Sequence, residues 1–166
     1  QAILAAFVRR LRNGHGEAID IALFACTLAN HVSVAANALL LKTPPGRYGT
    51  SHADIIPQGL YHAADGPLMF HVGSDAQFAR FSADVLGLPE LASDPRFTDN
   101  DGRRANRDVL DEIMSERFRT RSRHEWLPRF RAAGVPAVLV QNVRDALTCE
   151  DAKWREMVCE IDDRRD

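Results

Sequence analysis

The chain has 166 residues, of which 45% are hydrophobic, and its formal net charge is −2. This length suits one domain, or a small domain joined to part of another. The near-neutral charge argues against a dominant electrostatic partner such as DNA or an anionic membrane. The longest apolar runs, such as Ile21 to Cys26, are far shorter than the roughly 20 residues of a membrane-spanning helix.

Cys26, Cys149 and Cys159 are widely spaced and form no CxxC pair. This pattern favours buried thiols in a reducing cytoplasm over a disulfide framework, and it makes zinc binding unlikely on chemical grounds. The chain starts at Gln1 inside a helical pattern and shows no signal peptide. We therefore expect a cytoplasmic location and a longer protein that continues beyond both ends.

The first 42 residues predict three elements. Apolar residues at helical spacing predict a helix that ends at Asn13-Gly14. Alternating apolar residues then favour a strand entering at Ala18. The Ala- and Leu-rich stretch from Leu23 to Leu41 predicts a mostly buried helix. Together these features indicate part of an α/β domain whose other strands are missing, because alone they would expose a large apolar area.

The rest of the chain predicts a hairpin followed by helices. "GLYHAADG" and "PLMFHVGS" flank the turn at Asp65-Gly66, which is a hairpin signal. Ser74 and Ser122 are each followed three residues later by Gln or Glu, which is typical of a capping box at a helix start. Between them, residues Arg103 to Phe118 predict one amphipathic helix. "VPAVLV" predicts a short strand.

The sequence contains no glycine-rich phosphate loop, HExxH, GxSxG or EF-hand pattern. The six histidines are scattered and include no i,i+4 pair. His62 and His71 fall in the two strands of the predicted hairpin and could approach each other, but no carboxylate or cysteine has a ligand spacing beside them. A structural or exposed role is therefore favoured, and we expect no metal site. Composition and spacing alone lead only to an α/β fragment with a loop and a hairpin.

Three blocks of sequence say more about function than composition and spacing do. They are "AILAAFVRRLRNGHGEAIDIALFACTLA", then "RYGTSHADIIPQGLYHAADGPLMFHVGSDAQFARFSADVLGLPELASDPRF", and finally "NR" at 106–107 with "GVPAVLVQNVRDAL". In this order and spacing they resemble the class III CoA-transferase (CaiB/BaiF) family, which includes carnitine and formate CoA-transferases and α-methylacyl-CoA racemase. The chain departs from the family pattern at Thr50, usually Asn, at Gln58, commonly aromatic, and at Leu139, usually Pro.

The resemblance implies an α/β fold that consists of part of a Rossmann-like large domain and a small α+β domain. Residues 1–43 would belong to the large, CoA-binding domain and residues 44–59 to an interdomain loop. Residues 60–145 would form the small domain, with an antiparallel hairpin and several helices. Residues 146–166 would return toward the large domain.

The resemblance also implies an enzyme that moves CoA between carboxylic acids. Its partners would be an acyl-CoA, whose CoA thioester is a substrate, and a carboxylic acid acceptor, with no bound cofactor, no nucleic acid and no membrane. In the family a catalytic Asp forms an anhydride and then an enzyme–CoA thioester, and that Asp lies before Gln1. No residue of this chain takes its role, so we expect the isolated chain to be inactive. Racemisation at the carbon next to the thioester is the alternative reaction.

The resemblance places one loop near the thioester. Its candidate residues for the acyl pocket are Tyr48, Gly49, Thr50, Ser51, His52 and Ala53. Glycines permit close approach of the backbone, and backbone N–H groups stabilise negative charge on a thioester oxygen. The same residues would equally serve only to shape the crossover between two domains.

A hypothesis of another class is that the chain is a non-catalytic assembly module. The family forms interlocked homodimers, in which two chains thread through each other. The apolar first 42 residues would then meet a partner chain.

Overall fold

A computed structural model describes residues 1–42 and 44–159. The chain divides into two compact units, Gln1–Arg47 and Tyr48–Asp166.

The first unit contains three helices: α1 (Ala2–Asn13), α2 (Leu23–Asn30) and α3 (Val32–Leu41). The predicted end of α1 is confirmed, since Gly14 has a φ of 76° and its N–H donates to the carbonyl of Arg10. Helices α2 and α3 meet at His31 with a bend of 82°. There the ring Nδ1 of His31 lies 2.6 Å from the carbonyl oxygen of Thr27.

Two expectations for this unit are wrong. The strand expected from Ala18 is absent, and residues 15–22 have no regular structure. A strand needs a neighbour to satisfy its backbone groups, and no described residue of the first unit supplies one. The single buried helix expected from Leu23 to Leu41 is instead a bent pair with exposed apolar residues, such as Leu39 at 79% exposure.

The first unit leaves its apolar side chains uncovered. The stripe of α1 is exposed, with Ile3 at 70% and Phe7 at 54% of their accessible surface. No described helix is by itself long and apolar enough to cross a membrane, although α2 and α3 together reach that length and composition. Contiguous apolar surface of this kind is typical of segments that pack against another part of a protein.

The second unit contains an antiparallel sheet in the order β1-β2-β3. The strands are β1 (Gln58–Ala63), β2 (Gly66–His71) and β3 (Ala137–Leu139). The predicted hairpin is confirmed, because β1 and β2 pair directly across the Asp65-Gly66 turn. On the outer face of the sheet, Leu60, Met69 and Val138 lie opposite one another in one row across the strands.

Helices cover the inner face of the sheet. α4 (Asp75–Arg80) continues into a π-helical segment, Phe81–Leu86, and a 3₁₀ turn, Pro89–Ala92, follows. The remaining helices are α5 (Asn100–Ala105), α6 (Arg107–Phe118), α7 (Arg123–Ala132), α8 (Val143–Thr148) and α9 (Glu150–Trp154).

The helix starts at Ser74 and Ser122 are confirmed. The hydroxyl oxygens of Ser74 and Ser122 accept hydrogen bonds from the N–H groups of Gln77 and Glu125, respectively. The single helix expected from Arg103 to Phe118 is wrong, because the chain breaks at Asn106 into α5 and α6. There the carbonyl of Gly102 accepts from both the backbone N–H of Asn106 at 3.0 Å and its side-chain Nδ2 at 2.9 Å, and Asn106 has a non-helical φ of −113°.

An aromatic cluster forms the core between the sheet and the helices. The ring of Phe118 stacks on Phe130 with centroids 5.9 Å apart and contacts Phe70 at 5.3 Å. Trp126 meets Phe118 edge-on, and its indole N–H donates to the carbonyl of Phe118 at 2.9 Å. Phe118 therefore joins α6, α7 and the sheet.

Truncation of Phe118 tests this central position. We expect Phe118→Ala to lower the free energy of unfolding by about 3–5 kcal/mol, because it removes a fully buried ring and leaves a cavity. Urea unfolding followed by tryptophan fluorescence and circular dichroism measures the loss. Val138→Ala is the control: Val138 is 61% exposed, and its truncation should change stability by less than about 0.5 kcal/mol. Equal effects of the two changes would contradict this core.

Candidate functional site

The segment Tyr48–Pro57, which we call the anchored loop, precedes β1. The N–H of Ser51 donates to the carbonyl of Tyr48 at 3.0 Å, which closes a turn in which Gly49 has a φ of 60°. The N–H of His52 donates to the carbonyl of Gln58 at 3.1 Å. The loop therefore lies back along the edge of β1.

The imidazole of His52 is engaged inside the loop. Its Nδ1 accepts hydrogen bonds from the N–H groups of Asp54 and Ile55, both at 3.0 Å. Because Nδ1 is an acceptor, the neutral ring carries its proton on Nε2. His52 thus fixes the shape of the loop through its ring.

Arg107, the first residue of α6, holds the loop from outside. Its Nη2 donates to the carbonyls of His52 and Ala53, both at 2.8 Å. Its guanidinium carbon also lies 5.3 Å from the centre of the Tyr48 ring, in cation–π range. One cation therefore contacts both ends of the predicted site, Tyr48 and Ala53.

Asn100 and Arg103, at the start and middle of α5, hold the second half of the loop. The side chain of Asn100 accepts from the N–H of Ile56 at 3.0 Å and donates to the carbonyl of Asp54 at 2.7 Å. The Nε of Arg103 donates to the carbonyl of Ile56 at 2.8 Å. The two side chains thus fix the backbone on both sides of Ile55.

Arg103 is a buried cation, only 1% exposed. Its Nη1 donates to the carbonyl of Phe97 at 3.0 Å, and its Nη2 bonds to the carboxylate of Asp75 at 2.7 Å. The guanidinium lies 4.5 Å from the centre of the Phe78 ring. These contacts compensate the loss of water around the charge.

Gly59 allows the loop to lie close to β1. A Cβ at this position would be 3.0 Å from Oγ of Ser51 and 3.2 Å from its Cα. Both distances are shorter than ordinary van der Waals contact, so a larger residue here would displace the loop.

The structure brings the six predicted site residues into this one loop. Tyr48, Gly49 and Thr50 are exposed at its tip, whereas Ser51, His52 and Ala53 are half-buried. The three side chains that hold the loop, those of Asn100, Arg103 and Arg107, were not predicted as site residues. Arginine on a helix usually faces solvent, and no sequence pattern marked these as buried. The one available signal was the Asn106-Arg107 pair within the family resemblance.

The predicted histidine pair does not meet. His62 lies opposite Pro67, and His71 lies opposite Gln58, whose side-chain oxygen is 2.7 Å from its Nδ1. Within residues 1–42 and 44–159, no three His, Cys, Asp or Glu side chains surround a possible metal position. Cys26 and Cys159 are exposed rather than buried as expected.

A crevice with a volume of about 190 Å³ adjoins the anchored loop. It is lined by strand residues Leu60–His62 and by the side chains of Ser51, Asp111, Ser115 and Arg119. The Tyr61 hydroxyl donates a short hydrogen bond to the Asp111 carboxylate. Burial, and then this bond to Asp111, raise the pKa of Tyr61 well above its ordinary value, so its hydroxyl stays protonated at neutral pH.

Comparison with known proteins identifies relatives along the whole chain. The sequence model of CoA-transferase family III matches residues 1–166. A succinyl-CoA:glutarate CoA-transferase of Mus musculus is 32% identical over 160 residues, which are 96% of this chain and 36% of that protein. An acetyl-CoA:oxalate CoA-transferase of Acetobacter aceti is 33% identical over 158 residues, which are 94% of this chain and 40% of that protein.

A solved structure agrees with these relatives. A CaiB/BaiF family protein from Brucella suis superposes with a TM-score of 0.74 and 36% sequence identity. The match covers 94% of this chain and 41% of that one. The chain thus spans about two-fifths of the length of the proteins it matches.

Replacement of the buried arginine tests how the site is held. We expect Arg103→Met to lower the free energy of unfolding by about 2–4 kcal/mol, because the buried carbonyls of Ile56 and Phe97 lose charged donors. Urea unfolding measures the loss. Arg104→Met is the matched control, since Arg104 forms only an exposed ion pair with Asp101, worth less than about 1 kcal/mol. A cost for Arg103→Met no larger than that of the control would refute this role.

Proposed function

The chain belongs to CoA-transferase family III, and we propose that the longer protein containing it transfers CoA from an acyl-CoA to a carboxylic acid. The two transferases reported above are named for glutarate and for oxalate. Both acids carry two carboxylates, and we extend this substrate class to the present protein. The CoA thioester is then a substrate, and the chemistry needs no further cofactor.

The proposed reaction proceeds through covalent intermediates on an aspartate that lies before Gln1. Its carboxylate attacks the thioester carbonyl and expels the CoA thiolate, which leaves a mixed anhydride. The thiolate then attacks the enzyme's own acyl carbon, which releases the first acid and forms an enzyme–CoA thioester. The acceptor carboxylate repeats these steps in reverse. Each step exchanges one acyl bond for another, so the difficult transfer is divided into easier ones.

The anchored loop is the observation that carries this proposal. Tyr48, Gly49, Thr50, Ser51, His52 and Ala53 would line the acyl pocket, with the loop tip facing the thioester. Within the described residues, no backbone carbonyl accepts from the N–H of Gly49 or Thr50. Donors that are fixed before the reaction stabilise a developing oxyanion without reorganisation, and Arg107 supplies that fixation.

The racemase and assembly alternatives relate differently to the proposed transfer reaction. The relatives reported above are named as transferases, which favours transfer over racemisation. Assembly is compatible with catalysis, because the exposed apolar residues of α1 to α3 need a cover. We propose that the remainder of a Rossmann-like large domain and the second chain of an interlocked homodimer provide it. The cytoplasm remains our expectation for its location.

Activity of the longer protein tests the proposal directly. With acetyl-CoA and glutarate we expect glutaryl-CoA to accumulate, measured by chromatography of the CoA esters. Borohydride should inactivate the enzyme only after incubation with acyl-CoA, since it reduces an enzyme–CoA thioester. The 166-residue chain alone should transfer no CoA. Transfer by that chain alone would contradict a reacting carboxylate upstream of Gln1.

Loss of the Arg107 contacts tests the role of the loop. In the longer protein we expect Arg107→Met to lower kcat about 10- to 100-fold, because a small displacement of the loop misplaces its donors. The KM for acyl-CoA should change less than kcat. Arg144→Met, at an exposed position on α8, is the control and should retain full activity. An unchanged kcat for Arg107→Met would show that the loop does not act in the chemical step.

A further inference from the structure

We propose that the crevice between α6 and the edge of β1 is a subsite for a carboxylate, and that it receives the carboxylate of the acid that does not react. This inference rests on the proposed function and names the part of the chain that would select dicarboxylic acids. The crevice and the anchored loop share Ser51, so the crevice lies directly beside the loop.

One face of α6 supplies the polar wall of the crevice. Asp111, Ser115 and the C-cap residue Arg119 line the crevice. With Arg107 they follow one another at intervals of four residues, so they lie in a row along the helix. Ser115 and Arg119 are one turn apart, about 6 Å along the axis. A hydroxyl and a guanidinium at this spacing are both donors to a carboxylate.

The edge of β1 supplies backbone groups. The backbone carbonyl of Gln58 accepts from the N–H of His52, and the N–H of Ala64 donates to the carbonyl of Arg121. The backbone groups of even-numbered residues in β1 therefore point away from β2, toward the free edge of the sheet. Leu60 and His62 therefore present their N–H groups there as well. Within the described residues, no backbone bond reaches either group. This edge adds donors opposite Ser115 and Arg119.

The two ends of the crevice differ in charge. Asp111 would repel a carboxylate, but it lies two turns before Arg119 and already accepts the hydroxyl of Tyr61. Arg107 lies one turn before Asp111, and its positive charge acts to lower the pKa of Tyr61. No acid among the described residues pairs with Arg119. The Arg119 end is thus the end that attracts an anion.

The volume restricts what can bind. A crevice of about 190 Å³ has room for several water molecules. That space suits part or all of a glutarate-sized acid. A contact between Arg119 and a bound carboxylate would be partly exposed to water. It would therefore contribute only moderately to affinity and mainly to the selection of dicarboxylic acids.

The longer protein, as wild type and as Arg119→Met, tests the subsite with acetyl-CoA as donor. The acceptors are glutarate and valerate, which have the same chain length but two and one carboxylates. We expect Arg119→Met to raise the KM for glutarate about tenfold and to leave kcat and the KM for valerate unchanged. Arg131→Met, at an exposed position on α7, is the matched control and should change neither value.

The outcomes separate the two proposals. If the wild type transfers CoA and Arg119→Met binds glutarate as well as Arg131→Met does, the subsite is wrong while the function stands. Equal losses for glutarate and valerate would also overturn the subsite, since they indicate a general structural defect.

If the wild type transfers no CoA, the function is wrong. Ligand-observed NMR of glutarate binding to the same three proteins then decides the subsite: a loss confined to Arg119→Met supports it, and no difference overturns it.

Discussion

The buried guanidinium of Arg103 is the contact on which the second unit depends. It joins three segments that are distant in sequence: the anchored loop at Ile56, the turn at Phe97 and the start of α4 at Asp75. A charge removed from water is tolerated only where it is paired and hydrogen-bonded, so these segments must keep their mutual positions. The ring of Phe78 closes the remaining face of the cation. The position of the loop is therefore set by the same contacts that hold the fold together, and it does not require a ligand.

Helix α6 connects the core to the candidate site by simple periodicity. Leu110, Met114 and Phe118 recur every four residues and are fully buried against the aromatic cluster. The polar row of Arg107, Asp111, Ser115 and Arg119 has the same spacing, and Asp111, Ser115 and Arg119 each follow one of those apolar residues directly. One residue corresponds to a rotation of about 100° on a helix, so the polar row borders the buried row. Packing of the apolar residues thus fixes the angle at which the polar residues meet the loop and β1.

Local features of this chain could be predicted from its sequence, and features that depend on distant partners could not. The hairpin and the caps at Ser74 and Ser122 rest on neighbours within a few residues, and they are confirmed. The strand from Ala18 needs a second strand, and the burial of residues 23–41 needs a covering layer. Neither partner is among the described residues of the first unit. Arg103 and Arg107 escaped notice for a related reason: sequence shows a basic helix face but not the carbonyls that approach it.

The described carboxylates of the second unit bear on where the reacting carboxylate of the proposed reaction would lie. Within the described part of the second unit, Asp111 is the carboxylate in the crevice beside the loop, and it accepts the protonated hydroxyl of Tyr61. A carboxylate that already accepts a strong hydrogen bond is a weaker nucleophile, because the bond stabilises its charge. The loop, in contrast, offers donors and glycine-enabled close approach. In the proposed reaction the second unit would therefore contribute hydrogen-bond donors, and the attacking carboxylate would come from another part of the longer protein.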